Sequence, residues 1–138
     1  MSRFVMDCSV TMGWCFEDER DAYSEAILER LGPWEAAVPS LWTFEVANTL
    51  LVGERRKRIS KPDASNFVAF LAHLPITIDE ASTWRALSSV LALARVQNLS
   101  AYDAAYLELA VREGLPLATR DQGLKKAAAS LEVLVVAK

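Results

Sequence analysis

Histidine is almost absent from this chain, which contains a single one, His73, in 138 residues. A ribonuclease mechanism that uses two histidines as general acid and general base is therefore excluded, as is a metal site built from a histidine cluster. Only two cysteines are present, Cys8 and Cys15, and their spacing does not match the C-x-x-C pattern of redox or zinc sites. We expect both thiols to be reduced, as is usual in the cytoplasm.

Long apolar runs and targeting signals are also missing. No stretch approaches the ~20 apolar residues that span a bilayer, and Asp7 interrupts the amino terminus before a signal-peptide core could form. We therefore expect a cytoplasmic protein with no membrane partner, forming one domain over residues 1–138. A basic excess is lacking as well, since the net charge is −3. Any nucleic-acid partner must therefore meet a local basic patch or a bound metal ion.

Short apolar segments alternate with helical patterns along the chain. Strands are predicted at residues 4–6, 36–38, 75–78, 117–119 and 131–136, and helices at 18–31, 41–58, 62–74, 81–97, 100–113 and from residue 122 onward. Strands separated by helices favour a mainly parallel sheet that is covered on both faces. The predicted fold class is α/β, with a mainly parallel five-stranded sheet.

Acidic residues occur at four positions where a carboxylate is unexpected or specially placed. Asp7 follows the first strand, Glu45 lies in the apolar start of a helix, Asp103 lies in the first turn of another, and Asp121 follows the fourth strand. In a parallel sheet these positions all lie over the carboxyl edge, where open α/β sheets bind their ligands. We call these four residues the carboxylate cluster.

Carboxylates brought this close repel one another, by roughly 3 kcal/mol for a pair ~5 Å apart at an effective dielectric constant of about 20. Either some of them stay protonated or a divalent cation neutralises them. Because the available ligands are oxygens, the cluster favours Mg²⁺ or Mn²⁺ over zinc. Such ions bind phosphate oxygens and activate water. Ser9, Asn48 and Thr119 lie close to the acids in the sequence and are predicted to support them.

Each acidic residue also has an ordinary structural explanation. Asp7 could start a turn after the strand, Asp121 could cap the last helix, and Ser100 with Asp103 matches a capping box. Glu45 is harder to explain in this way, because burying a carboxylate without a partner costs several kcal/mol. These explanations remain open for single residues, but one shared edge for all four acids favours a functional site.

Basic residues cluster at positions 54–58, in the segment Glu54-Arg55-Arg56-Lys57-Arg58. This cluster either completes a solvated helix end, where positive charge complements the helix dipole, or contacts RNA phosphates. Arg120, Lys125 and Lys126 lie nearer to Asp121 and are equally good candidates for phosphate contacts.

Aromatic residues are predicted mainly in the core. This applies to most of the four tryptophans, Trp14, Trp34, Trp42 and Trp84. It applies as well to a stripe with helical spacing, formed by Tyr102, Ala105, Tyr106 and Leu109.

The segments around the carboxylate cluster resemble the motifs of PIN-domain nucleases, and more narrowly those of VapC-type toxins. The matching segments, in chain order, are Val5-Met6-Asp7-Cys8-Ser9-Val10, Glu45-Val46-Ala47-Asn48, Ser100-Ala101-Tyr102-Asp103-Ala104-Ala105-Tyr106 and Ala118-Thr119-Arg120-Asp121. Together they span nearly the whole chain, and the third segment is the most specific single motif. One mild departure is Cys8, which stands where a small residue such as Ala or Thr is common.

The resemblance implies a three-layer α/β/α sandwich whose carboxylate cluster binds Mg²⁺ or Mn²⁺ and carries catalysis. It implies an endoribonuclease that hydrolyses RNA phosphodiesters with a metal-activated water, a homodimer, and inhibition by a cognate antitoxin in a toxin–antitoxin pair. Asp7 and Asp103 would be the principal ligands, Glu45 would ligate or orient the water, and Asp121 would act directly or through an intervening group.

Two alternatives belong to other functional classes. A phosphatase with an aspartyl nucleophile typically needs a second acid two residues after the first, where this chain has Ser9. A catalytically silent PIN-like binding module would not need all four acids.

Overall fold

The computed structural model describes residues 2–137 as a parallel sheet with flanking helices. The elements in chain order are β1 (Ser2–Met6), α1 (Cys8–Cys15), a 3-10 turn (Glu17–Glu19), α2 (Ala22–Arg30), β2 (Trp34–Pro39), α3 (Leu41–Arg55), α4 (Lys61–Ala72), β3 (Ile76–Asp79), α5 (Ala81–Arg85), a π-helix (Ala86–Val90), α6 (Leu91–Gln97), α7 (Ala101–Glu113), β4 (Leu117–Ala118) and α8 (Gln122–Ser130). Within the part of the chain that the structure describes, every helix is too short or too polar to cross a membrane.

The sheet has the strand order β3-β2-β1-β4, and every pairing in it is parallel. Strand β1 lies inside the sheet, and Phe4, Val5 and Met6 are completely buried. This is why the strand is a continuous apolar run rather than an alternating pattern. Because the strands run in the same direction, their carboxyl ends share one edge, which begins at Met6 and Ala118 in the paired strands β1 and β4. The α/β prediction is confirmed.

The predicted fifth strand at residues 131–136 is wrong. This segment meets β4 through a single parallel bridge between Val135 and Leu117. The N–H of Leu117 donates to Leu134 O at 2.8 Å, and the N–H of Val136 donates to Leu117 O at 2.9 Å. The segment begins in a turn where Glu132 has a φ of 58°, and β4 is only two residues long. Too little extended backbone is therefore left on either side to form a ladder.

Helix starts follow side-chain caps. Ser60 caps α4, and Ser100 caps α7 as predicted, each accepting a backbone N–H three residues later at 3.1 Å. Asp21 caps α2 in the same way at 2.7 Å. Since a cap fixes the first helical turn, α2 begins at Ala22 rather than at the predicted residue 18, and the acidic residues before it form the 3-10 turn.

Two other helical segments differ from the prediction. Helix α1 was not predicted, although Asp7 accepts the N–H of Val10 and so caps it. The predicted helix over residues 81–97 is present, but the π-helix interrupts it between α5 and α6.

Helix α7 lies against β1 and β2 and supplies much of the core. All of its residues from Ala104 to Ala110 are buried, including Tyr106 and Leu109 as predicted. Tyr102 in the first turn of α7, however, is 65% exposed, and Trp84 on α5 is 87% exposed. The prediction of a core position is therefore wrong for Tyr102 and Trp84.

Candidate active site

Asp7 lies where β1 ends and α1 begins, and it is 5% exposed. Its Oδ1 accepts hydrogen bonds from Ser9 Oγ at 2.6 Å and from the N–H of Val10 at 3.3 Å. Its Oδ2 accepts a hydrogen bond from Thr119 Oγ1. The ordinary role of Asp7 as a helix cap is thus present, but it uses only one of the three hydrogen bonds.

The pKa of Asp7 lies above its ordinary value, because burial penalises the charged carboxylate. Hydrogen bonds from Ser9, from Thr119 and from the N–H of Val10 lower this pKa, and the negative charge of Asp103 raises it. Asp7 is therefore a buried carboxylate whose orientation is fixed by its neighbours while its charge is not balanced by them.

Thr119 connects Asp7 to Asp121. Its hydroxyl is completely buried, donates to Asp7, and accepts the N–H of Asp121 at 3.0 Å. Asp121 caps α8 by accepting the N–H of Leu124 at 2.7 Å, and the residue as a whole is exposed. One threonine side chain therefore holds the ends of β1 and β4 in a fixed relation.

Glu45 lies in the second turn of α3 and is half-buried. Its Oε1 accepts a hydrogen bond from the hydroxyl of Tyr106 on α7. Burial raises the pKa of Glu45, the charges of Asp103 and Asp7 raise it further, and the Tyr106 hydrogen bond lowers it. The sequence pattern predicted Tyr106 only as a core residue. The signal that could have found it is its position three residues after Asp103, on the same face of the helix.

Asp103 lies in the first turn of α7 and is half-buried. Burial raises its pKa, and the charge of Asp121 raises it further. The charge of Asp103 in turn acts on both Asp7 and Glu45. All four members of the carboxylate cluster therefore lie at one edge of the sheet and influence one another electrostatically.

Basic side chains are not directed into this cluster. Across residues 2–137, no Lys or Arg forms an ion pair with any of its four members. Arg120 is adjacent to Asp121 but pairs with Glu19 at 3.2 Å and with Asp21 at 3.3 Å. These ion pairs occupy the guanidinium of Arg120, so Arg120 is not available for the phosphate contact for which the sequence made it a candidate.

The basic segment at positions 54–58 lies at the carboxyl end of α3. Arg58 pairs with Asp18 at 2.8 Å and with Glu19 at 3.1 Å, and its guanidinium lies 4.1 Å from the ring centroid of Phe16. Arg55, Arg56 and Lys57 are exposed at or beyond the end of α3.

The remaining predicted residues differ in their contacts. Ser9 bonds Asp7 directly and also accepts the N–H of Arg120 at 3.4 Å. Asn48 is exposed, and no hydrogen bond joins it to the carboxylate cluster in the described part of the chain. Ser9 and Thr119 are therefore integrated into the site, whereas Asn48 lies beside it.

The oxygen donors of the cluster fit a hard divalent cation in type. Burial raises the pKa of the Cys8 thiol to about 12, with Glu45 and Asp7 adding to the rise, so this thiol is protonated in the metal-free chain. As the side chains lie, however, no three acidic, cysteine or histidine side chains of residues 2–137 are close enough to hold one ion together. Mg²⁺ commonly binds proteins through one or two carboxylates and keeps several waters, so a pair of carboxylates is enough.

A family model for the PIN domain matches residues 4–130 of this chain. The chain belongs to the PIN domain family. It is 30% identical over 122 residues to ribonuclease VapC3 of Pyrobaculum aerophilum, a match that covers 88% of this chain and 92% of that relative. The resemblance to PIN-domain proteins of the VapC type is thereby confirmed.

Solved structures agree with this PIN-domain assignment. The crystal structure of PAE2754 from Pyrobaculum aerophilum superposes with a TM-score of 0.67 at 25% identity, covering 91% of this chain and 79% of the other. A toxin–antitoxin complex from Klebsiella pneumoniae gives a TM-score of 0.67 at 18% identity, covering 96% of both chains. The second likeness shows the fold alone.

Proposed function

We propose that this PIN domain is a Mg²⁺- or Mn²⁺-dependent endoribonuclease and the toxin of a toxin–antitoxin pair. The observation that carries the proposal is the convergence of four carboxylates that have no basic partner in the described part of the chain. Unbalanced negative charge of this kind costs free energy, which a bound divalent cation offsets. The identity to a ribonuclease over most of the chain supports RNA as the substrate.

The residues of the cluster take distinct roles in this proposal. Asp7 and Asp103 are the principal metal ligands, and Asp121 contributes directly or through an intervening group. The cation, when bound, supplies charge neutralisation at the phosphate and activation of water. Glu45 ligates it or orients the attacking water for in-line displacement, which leaves a 5′-phosphate and a 3′-hydroxyl.

The remaining polar residues position the acids. Ser9 and Thr119 hold the two oxygens of Asp7 so that its orientation is set before substrate arrives. Preorganised ligands of this kind reduce the cost of assembling the site. Asn48 assists from the exposed side of α3.

The test compares RNA cleavage by the parent chain and by Asp7→Asn, with Mg²⁺ or Mn²⁺ and with EDTA. Asp63→Asn is the matched control, because Asp63 is an exposed aspartate in the first turn of α4. We expect cleavage by the parent and by Asp63→Asn with metal, and none by Asp7→Asn or in EDTA. Equal cleavage by Asp7→Asn and the parent would rule out this assignment. Hydrolysis of a small phosphate ester faster than RNA would indicate a phosphatase instead.

We further propose a homodimer that forms through α5, the π-helix and α6. Trp84 and Leu87 are each 87% exposed, and Leu91 is 36% exposed, so these side chains form an apolar stripe on one surface. Stripes of this kind mark interaction surfaces in soluble proteins. Leu87→Lys should shift the mass measured by light scattering towards the monomer. Leu134→Lys, at another leucine that is 76% exposed, should leave the mass of the parent. A parent that is monomeric would refute the proposal.

The antitoxin is proposed to bind in an apolar groove of about 370 Å³ between α3, α4 and β3. The groove is lined by Val46, Leu50, Val68, Leu71 and Ile78, among others.

Co-expression with a candidate antitoxin, chosen from any short open reading frame that overlaps or immediately precedes this one, tests this assignment. We expect the two proteins to copurify and RNA cleavage to be suppressed. Val68→Glu should weaken the complex. Val111→Glu is the matched control and should not, because Val111 lies outside the groove but is exposed to a similar extent, 50% against 53% for Val68. Equal binding by both variants would place the antitoxin elsewhere.

A further inference from the structure

We infer that Tyr106 is a positioning residue for metal binding, because its buried hydroxyl holds the carboxylate of Glu45 in the orientation the site requires. The inference rests on the proposed metal-dependent function. Tyr106 itself is not a member of the carboxylate cluster.

Tyr106 is itself rigidly placed. It is 1% exposed and lies in the stretch of α7 in which every residue from Ala104 to Ala110 is buried. The ring therefore has little freedom to rotate, and the position of its hydroxyl is set by the packing of α7 against the sheet.

The hydroxyl of Tyr106 reaches from α7 to α3. It donates to Glu45 Oε1, and this is the one hydrogen bond that the Glu45 side chain makes within residues 2–137. Thr49 Oγ1 donates instead to the backbone carbonyl of Glu45, at 2.8 Å. Without Tyr106, no hydrogen bond within residues 2–137 would orient the carboxylate of Glu45.

The second carboxylate oxygen of Glu45 accepts no hydrogen bond from residues 2–137. The negative charges of Asp103 and Asp7 raise the pKa of Glu45, so the carboxylate of Glu45 lies close enough to interact with both. A glutamate with one oxygen tied to a buried donor and the other free is preorganised as a ligand. Groups that orient ligands in this way typically change metal affinity by about 10–100-fold when they are removed.

The test measures Mn²⁺ binding by isothermal titration calorimetry, on the full chain and without RNA. Tyr106→Phe removes only the hydroxyl, and Tyr102→Phe is the matched control, with the same chemical change in the first turn of the same helix at a residue that is 65% exposed. We expect Tyr106→Phe to weaken Mn²⁺ binding by about ten-fold and Tyr102→Phe to leave it unchanged. Thermal scans without metal verify that both variants fold.

A double-mutant cycle separates positioning from a general loss of structure. If Tyr106 acts through Glu45, then Tyr106→Phe should have no further effect on Mn²⁺ affinity in a Glu45→Gln background. Additive losses, or unchanged affinity in Tyr106→Phe alone, would overturn the inference while leaving the proposed function intact. A parent chain that binds no Mn²⁺ would overturn both.

Discussion

Replacing Thr119 by valine removes the hydroxyl that joins the two ends of the site while almost preserving the shape of the side chain. Thr119 is completely buried at the end of β4. Its hydroxyl donates to Asp7 and accepts the N–H of Asp121 at 3.0 Å. Both bonds are lost in Thr119→Val, and no cavity is created in their place.

The expected cost follows from the two bonds. A hydrogen bond to a charged group contributes about 1.5–3 kcal/mol, and one between neutral groups about 1 kcal/mol. Because Asp121 is exposed, water can satisfy part of the second bond. We therefore expect Thr119→Val to lower the free energy of unfolding by about 2–3 kcal/mol without metal. The pKa of Asp7 should also rise further, since the Thr119 hydrogen bond lowers it.

The assay is urea denaturation without metal at one fixed pH for all variants, followed by Mn²⁺ titration. Thr119→Ser is the matched control, because it keeps the hydroxyl and loses only one buried methyl group, at a cost of about 1 kcal/mol. Thr119→Val should bind Mn²⁺ about ten-fold more weakly, and Thr119→Ser close to normally. If Thr119→Val is as stable as the parent and binds Mn²⁺ equally well, Thr119 does not orient Asp7 and the reasoning fails.

The remaining predictions concern pH, packing and buried charge. The metal-free chain should become more stable as the pH falls from about 8 to 5. Burial raises the pKa of three members of the carboxylate cluster, so the folded state binds protons more tightly than the unfolded state. Saturating Mn²⁺ should weaken this pH dependence, and a melting temperature that falls with pH in the metal-free chain would contradict the prediction. Gly13→Ala should cost about 1–3 kcal/mol in urea denaturation, because its Cβ would lie 2.4 Å from Ser24 Oγ; a neutral effect would show that α2 can shift. Arg112→Leu should cost about 3 kcal/mol, since it removes ion pairs to Glu108 at 2.9 Å and Asp79 at 2.6 Å; a loss below about 1 kcal/mol would show that these acids are solvated.

The placement of the acids was predictable because it depends on topology. Asp7 and Asp121 follow strands, and the carboxyl ends of parallel strands share an edge. Asp103 begins a helix that returns to β4 through a short loop, so it had to lie over the same edge. The caps at Ser60 and Ser100 were predictable because they are local interactions between a side chain and the first turn of its own helix.

Other features depended on contacts between distant residues. The hydrogen bond from Tyr106 to Glu45 joins positions 61 residues apart. The spacing of Tyr106 from Asp103 is a local signal, but it does not reveal the partner on α3. Arg120 was a candidate for phosphate contact because it is next to Asp121 in the sequence. Its hydrogen-bond partners are instead Glu19 and Asp21, about a hundred residues earlier. Pairwise contacts of this kind become visible only once the chain is folded.

Element boundaries were missed for a different reason. Apolar, β-branched residues at 131–136 are typical of a strand, but a strand also needs a partner of similar length, and β4 is only two residues long. Helix α1 contains Val10 and Thr11, which have only modest helix propensity. It forms nevertheless, because Asp7 caps it and four of its residues, from Val10 to Gly13, are buried. Tertiary packing outweighed local preference in both segments.

Anomalous diffraction from a crystal of the parent chain soaked in Mn²⁺ tests the central claim most directly. We expect an anomalous peak at the carboxyl edge of the sheet, between the carboxylates of Asp7 and Asp103, and no such peak in Asp7→Asn. A peak at another surface of the parent, or none at saturating Mn²⁺, would contradict the claim that these carboxylates form a metal site.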